Sequence, residues 1–86
     1  MKIKFHQNFE KKYKKLSARL KLKIKERNVL FAHNPFDALL NNHALKGKYV
    51  GYRSINITGD IRVVYKLIDV DLSLFVTIDT HSNLYK

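Results

Sequence analysis

Residues 43–66 read HALKGKYVGYRSINITGDIRVVYK, and this stretch decides the fold. After Gly47 the side-chain pattern takes a period of two. Arg53, Ile55 and Ile57 fall on one side of an extended strand, and Tyr52, Ser54 and Asn56 on the other. Thr58-Gly59 separates two apolar runs and reads as a hairpin turn. Ile61, Val63, Tyr65 and Leu67 then alternate with Arg62, Val64, Lys66 and Ile68. Beyond the short connection Asp69-Val70-Asp71, the apolar residues Leu72, Leu74, Val76 and Ile78 make a third long strand. Three consecutive strands joined by tight turns predict an antiparallel meander, with one face covered and the other partly open.

Toward the N-terminus the period changes. Lys2–Phe5 alternates and can start a sheet, but Phe9, Tyr13, Leu16 and Leu20 follow at steps of four, three and four, the spacing of one helix face. Leu20, Ile24 and Phe31 continue the stripe, with Leu22, Val29 and Leu30 widening it. Ser17 is placed to cap a second helix, and Asn34-Pro35 stops it, because proline disfavours helical geometry in the residue before it. The expected element is a helical hairpin over residues 7–33, joined near residues 16–18; one kinked helix is the alternative. Phe36–Asn42 reads as a short turn or helical piece. The predicted class is α+β, two N-terminal helices packed on a mostly antiparallel sheet of about four strands. All of it belongs to one domain, residues 1–86, because a chain this small buries roughly 60% of its unfolded surface in one modest core.

Charge is distributed as unevenly as structure. The net charge is +10, and residues 1–33 hold eleven Lys and Arg against Glu10 and Glu26, a balance of +9. A solvated helix face is the plain reading of such a run. The asymmetry between the halves points further, to a polyanion or an acidic protein, since a cationic surface gains affinity for phosphate backbones by counterion release. There is no cysteine and no apolar run of signal-peptide or membrane-spanning length, which fits a soluble cytoplasmic protein without a membrane partner. His6, His33, His43 and His81 share no close ligand spacing, so neither metal nor other cofactor is expected.

Two of those histidines are placed for chemistry. His43 precedes the first meander strand and His81 follows the last, so a meander can bring both to one end or face, with Asp60 nearby from a turn. Histidine suits general acid and base work because its reference pKa, about 6.5, lies near working pH. Each candidate also has a plainer role. A loop histidine can cap, and Asp60 after Gly59 can serve the turn. Arg53 can pair with an acid as readily as clamp a phosphate. Lys46 and Lys48 can be surface charges or can steer phosphate toward His43. Tyr85 can cover a sheet edge or stack on an unpaired base.

The order H-x-L-x-G from His43, Gly51-Tyr52-Arg53, Gly59-Asp60 with an apolar run to Tyr65, and THSNLY at residues 80–85 resembles the YafQ branch of the RelE/ParE toxin superfamily. The resemblance is carried by about half the chain. It implies a RelE-like fold and a type II toxin that cleaves mRNA at the ribosome as a metal-independent endoribonuclease. It also implies a cognate antitoxin partner, mRNA and ribosomal RNA as targets, and operator DNA reached only through the antitoxin complex. His43, Asp60 and His81 match catalytic positions, and Tyr85 an active-site aromatic. Four positions depart from the pattern: Asn56 stands where a catalytic histidine is usual, Ile61 where tryptophan is common, Tyr85 where phenylalanine is, and Thr77 where an arginine is often found. Asparagine can hydrogen-bond a phosphate oxygen but cannot exchange a proton near neutral pH, which implies attenuated activity. A ParE-like gyrase poison, or a degenerate toxin that only binds its antitoxin, is the alternative from another functional class.

Overall fold

The computed structural model describes residues 1–84. Strand β1 (Lys2–Phe5) is followed by helices α1 (Gln7–Lys14) and α2 (Ala18–His33). Two 3-10 turns, Ala38–Leu40 and Gly47–Tyr49, flank the two-residue strand β2 (His43–Ala44). The meander β3 (Arg53–Asn56), β4 (Ile61–Asp69) and β5 (Leu72–Thr80) comes next, and helix α3 (His81–Leu84) follows.

The helical hairpin forms where the pattern requires it. Ser17 Oγ accepts the Leu20 N–H at 3.2 Å and satisfies a donor that the first turn of α2 leaves open. At the other end Leu30 O takes the Asn34 N–H at 2.8 Å, one residue before Pro35. The stripe is narrower than expected, because Leu22 and Val29 are 60% and 59% exposed. Each lies two residues before a buried partner, Ile24 or Phe31, and two residues is about 200° around a helix.

The sheet has five strands in the order β1-β5-β4-β3-β2, and it is mixed. The meander pairs are antiparallel as predicted. β2 adds an antiparallel edge strand too short to show a period, and β1 pairs with β5 in parallel. That pairing joins the two ends of the chain, so no local pattern announces its direction.

One face of the sheet meets the helices. Phe9, Ile24, Phe31 and Leu40 pack on Ile55, Ile57, Val63, Tyr65, Phe75 and Ile78. Phe31 stands edge-on to Tyr65 and Phe75, with centroids at 4.9 and 5.1 Å. A bulge in β5 makes this packing possible. Val64 pairs with Thr77 but Tyr65 with Phe75, which leaves Val76 as the extra residue. Strict alternation through Leu72, Leu74, Val76 and Ile78 is therefore broken, and Phe75 and Ile78, three apart, are both buried in the core.

Candidate active site

The second face of the sheet gathers the residues with chemistry. Directly opposed residues in a sheet share a face. One row across it is His43, Ser54, Val64 and Thr77; the next is Asn56, Arg62 and Asp79. His81 lies two residues beyond Asp79 and continues that parity into α3. Its backbone N–H donates to Asp60 O at 2.8 Å, so the last strand and the β3–β4 turn meet. α3 then folds back, and Leu84 packs with Leu45 and Val64 beside Tyr49 and Tyr52. His43 and the Asp60–His81 pair thus occupy opposite corners of one face, with Asn56 between them.

Local geometry fixes several of these groups. His43 Nδ1 lies 2.8 Å from Asn41 O. A carbonyl only accepts, so Nδ1 carries the proton and the neutral ring has its lone pair on Nε2. The turn around Asp60 is held by other residues. Thr58 Oγ1 accepts the Asp60 and Ile61 N–H groups at 3.3 and 3.0 Å. Arg62 donates to Thr58 O at 2.8 Å, to Gly59 O at 3.1 Å and to Ile61 O at 3.3 Å. The turn therefore does not depend on the Asp60 carboxylate, which is on an exposed residue.

Asn56 Oδ1 and Ser54 Oγ are buried with no hydrogen-bond partner among the described residues. Most buried polar atoms in folded proteins are paired, so these two oxygens mark a place that a bound group or water completes. Asp79 is part of the frame. Burial alone would raise its pKa, but hydrogen bonds from the Asn83 side chain and Thr80 backbone, with Lys12 nearby, hold it below its ordinary value.

Arg53 is directed elsewhere. Strand parity puts it opposite Tyr65 on the helix-bearing face. There its Nε donates to Asn42 Oδ1 at 2.7 Å and its guanidinium lies 5.3 Å over the Phe36 ring. Asn42 Nδ2 in turn donates to the Tyr65 hydroxyl at 2.7 Å and to Pro35 O at 2.9 Å. Arg53 thereby pins the loop before β2, and its donors serve that loop and not a phosphate on the histidine face. Lys46 and Lys48 are exposed around Gly47, whose φ of 65° favours glycine. Tyr85 lies outside the described residues.

Arg62 is the residue that sequence reading passed over. It is 8% exposed, and its only sequence signal was the parity it shares with Asp60 and Val64. Among the described residues no three His, Cys, Asp or Glu come together to hold a metal ion, and no helix is long and apolar enough to cross a membrane.

A helical hairpin on one sheet face, with histidines and a short C-terminal helix on the other, defines a small toxin of the RelE superfamily. The chain belongs to the family described as the bacterial toxin of type II toxin–antitoxin systems, YafQ, whose model matches residues 1–86. It is similar to YafQ from E. coli strain BL21(DE3), with 27% identity over 98% of this chain and 97% of that one, at a TM-score of 0.79. A YoeB/ParE toxin from Agrobacterium tumefaciens matches with 26% identity over 94% and 99% of the two chains, at 0.77. The E. coli DinJ–YafQ toxin–antitoxin complex matches with 27% identity over 98% and 96%, at 0.76. No curated protein sequence matches this chain.

Proposed function

We propose that this toxin is a metal-independent endoribonuclease that cleaves mRNA, at the ribosome, in the cytoplasm, and that a cognate antitoxin neutralises it. The observation that carries the reading is the shared face of His43, Asn56 and His81, with the Asp60 turn bonded to the His81 backbone. In the proposed reaction the ribose 2′-oxygen attacks the adjacent phosphorus and the bond to the 5′-oxygen breaks. The products are a 2′,3′-cyclic phosphate and a free 5′-hydroxyl.

His43 takes the 2′-hydroxyl proton at Nε2, the nitrogen that its Nδ1 contact leaves basic. His81 donates the proton that the departing 5′-oxygen needs. In-line displacement asks for base and acid on opposite sides of the phosphate, which suits histidines at opposite corners. Asn56 hydrogen-bonds a phosphate oxygen or the attacking hydroxyl through its amide, in place of a proton-transferring histidine. Asp60 supports His81 in its charged state, and Tyr85 stacks on a base beside the scissile bond. The antitoxin is read from E. coli YafQ, which is seen bound to DinJ. Operator DNA is reached only through such a complex.

The test is induction in a bacterial host with mapping of RNA 5′ ends. New mRNA ends bearing 5′-hydroxyls that vanish in His81→Ala support the reading. Growth arrest with intact mRNA and gyrase-dependent DNA breaks would assign a gyrase poison instead.

A further inference from the structure

Helix α1 carries lysines toward two different surfaces. Lys14 lines an apolar groove with Phe5, Phe9 and Tyr13, and Lys25 and Glu10 flank it. Lys11, Lys12 and Lys15 line a separate cleft of about 550 Å³. Tyr49, from the Gly47–Tyr49 turn, also lines this cleft, together with Thr77 and Val76 of β5. No carboxylate lines it. Lys12 is partly neutralised by Asp79, its Nζ 3.5 Å from Asp79 Oδ2, so the uncompensated charge belongs to Lys11 and Lys15.

The cleft adjoins the histidine face. Thr77 is in the same cross-strand row as His43, Ser54 and Val64, and Asp79 next along β5 leads to His81. A strand occupying the cleft therefore continues onto the face where the histidines stand. Tyr49 is half-buried, held edge-on by Tyr52 at 6.2 Å between centroids, with Lys48 Nζ 5.4 Å from its ring centre. A fixed aromatic among lysines matches a nucleotide, whose base stacks while its phosphates pair with ammonium groups.

We infer that the cleft between α1 and Tyr49 binds single-stranded RNA next to the cleavage site, Lys11 and Lys15 holding backbone phosphates and Tyr49 stacking a base. This rests on the ribonuclease reading and adds a substrate subsite to it. The positive charge of α1 is then divided by position on the helix, with one lysine face for RNA and the other outside it.

The test uses the whole protein and a short 2′-O-methylated single-stranded RNA, which binds but cannot be cleaved by 2′-hydroxyl attack. Lys11→Gln/Lys15→Gln is compared with the charge-matched Lys14→Gln/Lys25→Gln. The cleft pair should lose about tenfold in affinity at low salt. Its log–log salt slope should fall by about 1.4, at roughly 0.7 per lost phosphate contact on a single strand. Tyr49→Leu should lose about tenfold with an unchanged salt slope. The Lys14/Lys25 pair should bind like the wild type.

Equal losses in both lysine pairs would show a diffuse field and overturn the cleft. Competition by inorganic phosphate as effective as RNA at equal phosphate would make it a simple anion site. Preference for poly-glutamate over RNA would assign it to an acidic protein. If binding through Lys11 and Lys15 holds but unmodified mRNA is never cut, the ribonuclease reading fails and the subsite stands. If mRNA is cut and the cleft variants bind normally, the subsite fails and the ribonuclease reading stands.

Discussion

The two faces of one sheet are built on opposite terms. The helix-bearing face is closed by aromatic and aliphatic side chains, with Ile55, Val63 and Phe75 fully buried. The other face carries Ser54, Arg62 and Thr77 in buried positions and a small cluster around Leu45, Val64 and Leu84. Burying an unpaired polar group costs about 1–3 kcal/mol, and two of the unpaired side-chain oxygens are on that second face. The contrast separates a surface arranged for stability from one arranged to meet a ligand. Substitutions on the first should move stability, and those on the second should move activity.

The sharpest break of that symmetry is His81→Ala. Cleavage should fall by about 10²–10⁴-fold, the usual range for a general acid, with an unchanged unfolding midpoint. Undiminished growth arrest by a stably expressed variant would remove His81 from the chemistry. On the opposite face, Phe75→Ala should cost about 3–5 kcal/mol in urea unfolding. Its ring lies within 6 Å of Phe5, Phe9, Phe31 and Tyr65 by centroid. A stability loss below about 1 kcal/mol would mean that the core closes by other contacts.

Asn56→His restores a proton-transferring group between the two corners. Cleavage should rise, by up to about 10²-fold, with little change in stability. A variant that folds normally and cuts no faster would show that the position serves only to hold the substrate. Arg62→Gln should straddle the comparison. Losing its bonds to the Thr58 and Gly59 carbonyls should cost about 2 kcal/mol, and the Asp60 turn should loosen. Cleavage should then drop further than the unfolded fraction accounts for, and a matched drop in both would make Arg62 purely structural.

The smallest effect should come from acid. The folded-state pKa of Asp79 is depressed, so its contribution to stability is present above the unfolded carboxyl value, about 3.9, and is lost as pH falls through the folded one. Asp79→Asn should be less stable than wild type near neutrality, and the two midpoints should converge by about pH 3. A gap that persists at that pH would place the cause in packing and not in charge.

Much of this molecule was legible in its chain. The period of two across residues 52–78, the helical spacing from Phe9 to Phe31, Ser17 as a cap and Pro35 as a stop set the helices and the meander, because each depends on near neighbours. The order of His43, Asp60 and His81 in the chain marked the family. Strand parity alone put Arg53 and Asn56 on opposite sides. Tertiary structure decided what depends on distant partners. The parallel pairing of β1 with β5 joins the two ends of the chain, and the bulge at Val76 appears only when Phe75 and Ile78 must both reach one core. Arg62 became a strut of the Asp60 turn only when β4 closed against β3. The lysines of α1 divided between two grooves because helix rotation was set by Phe9 entering that core, a long-range contact that no local pattern encodes.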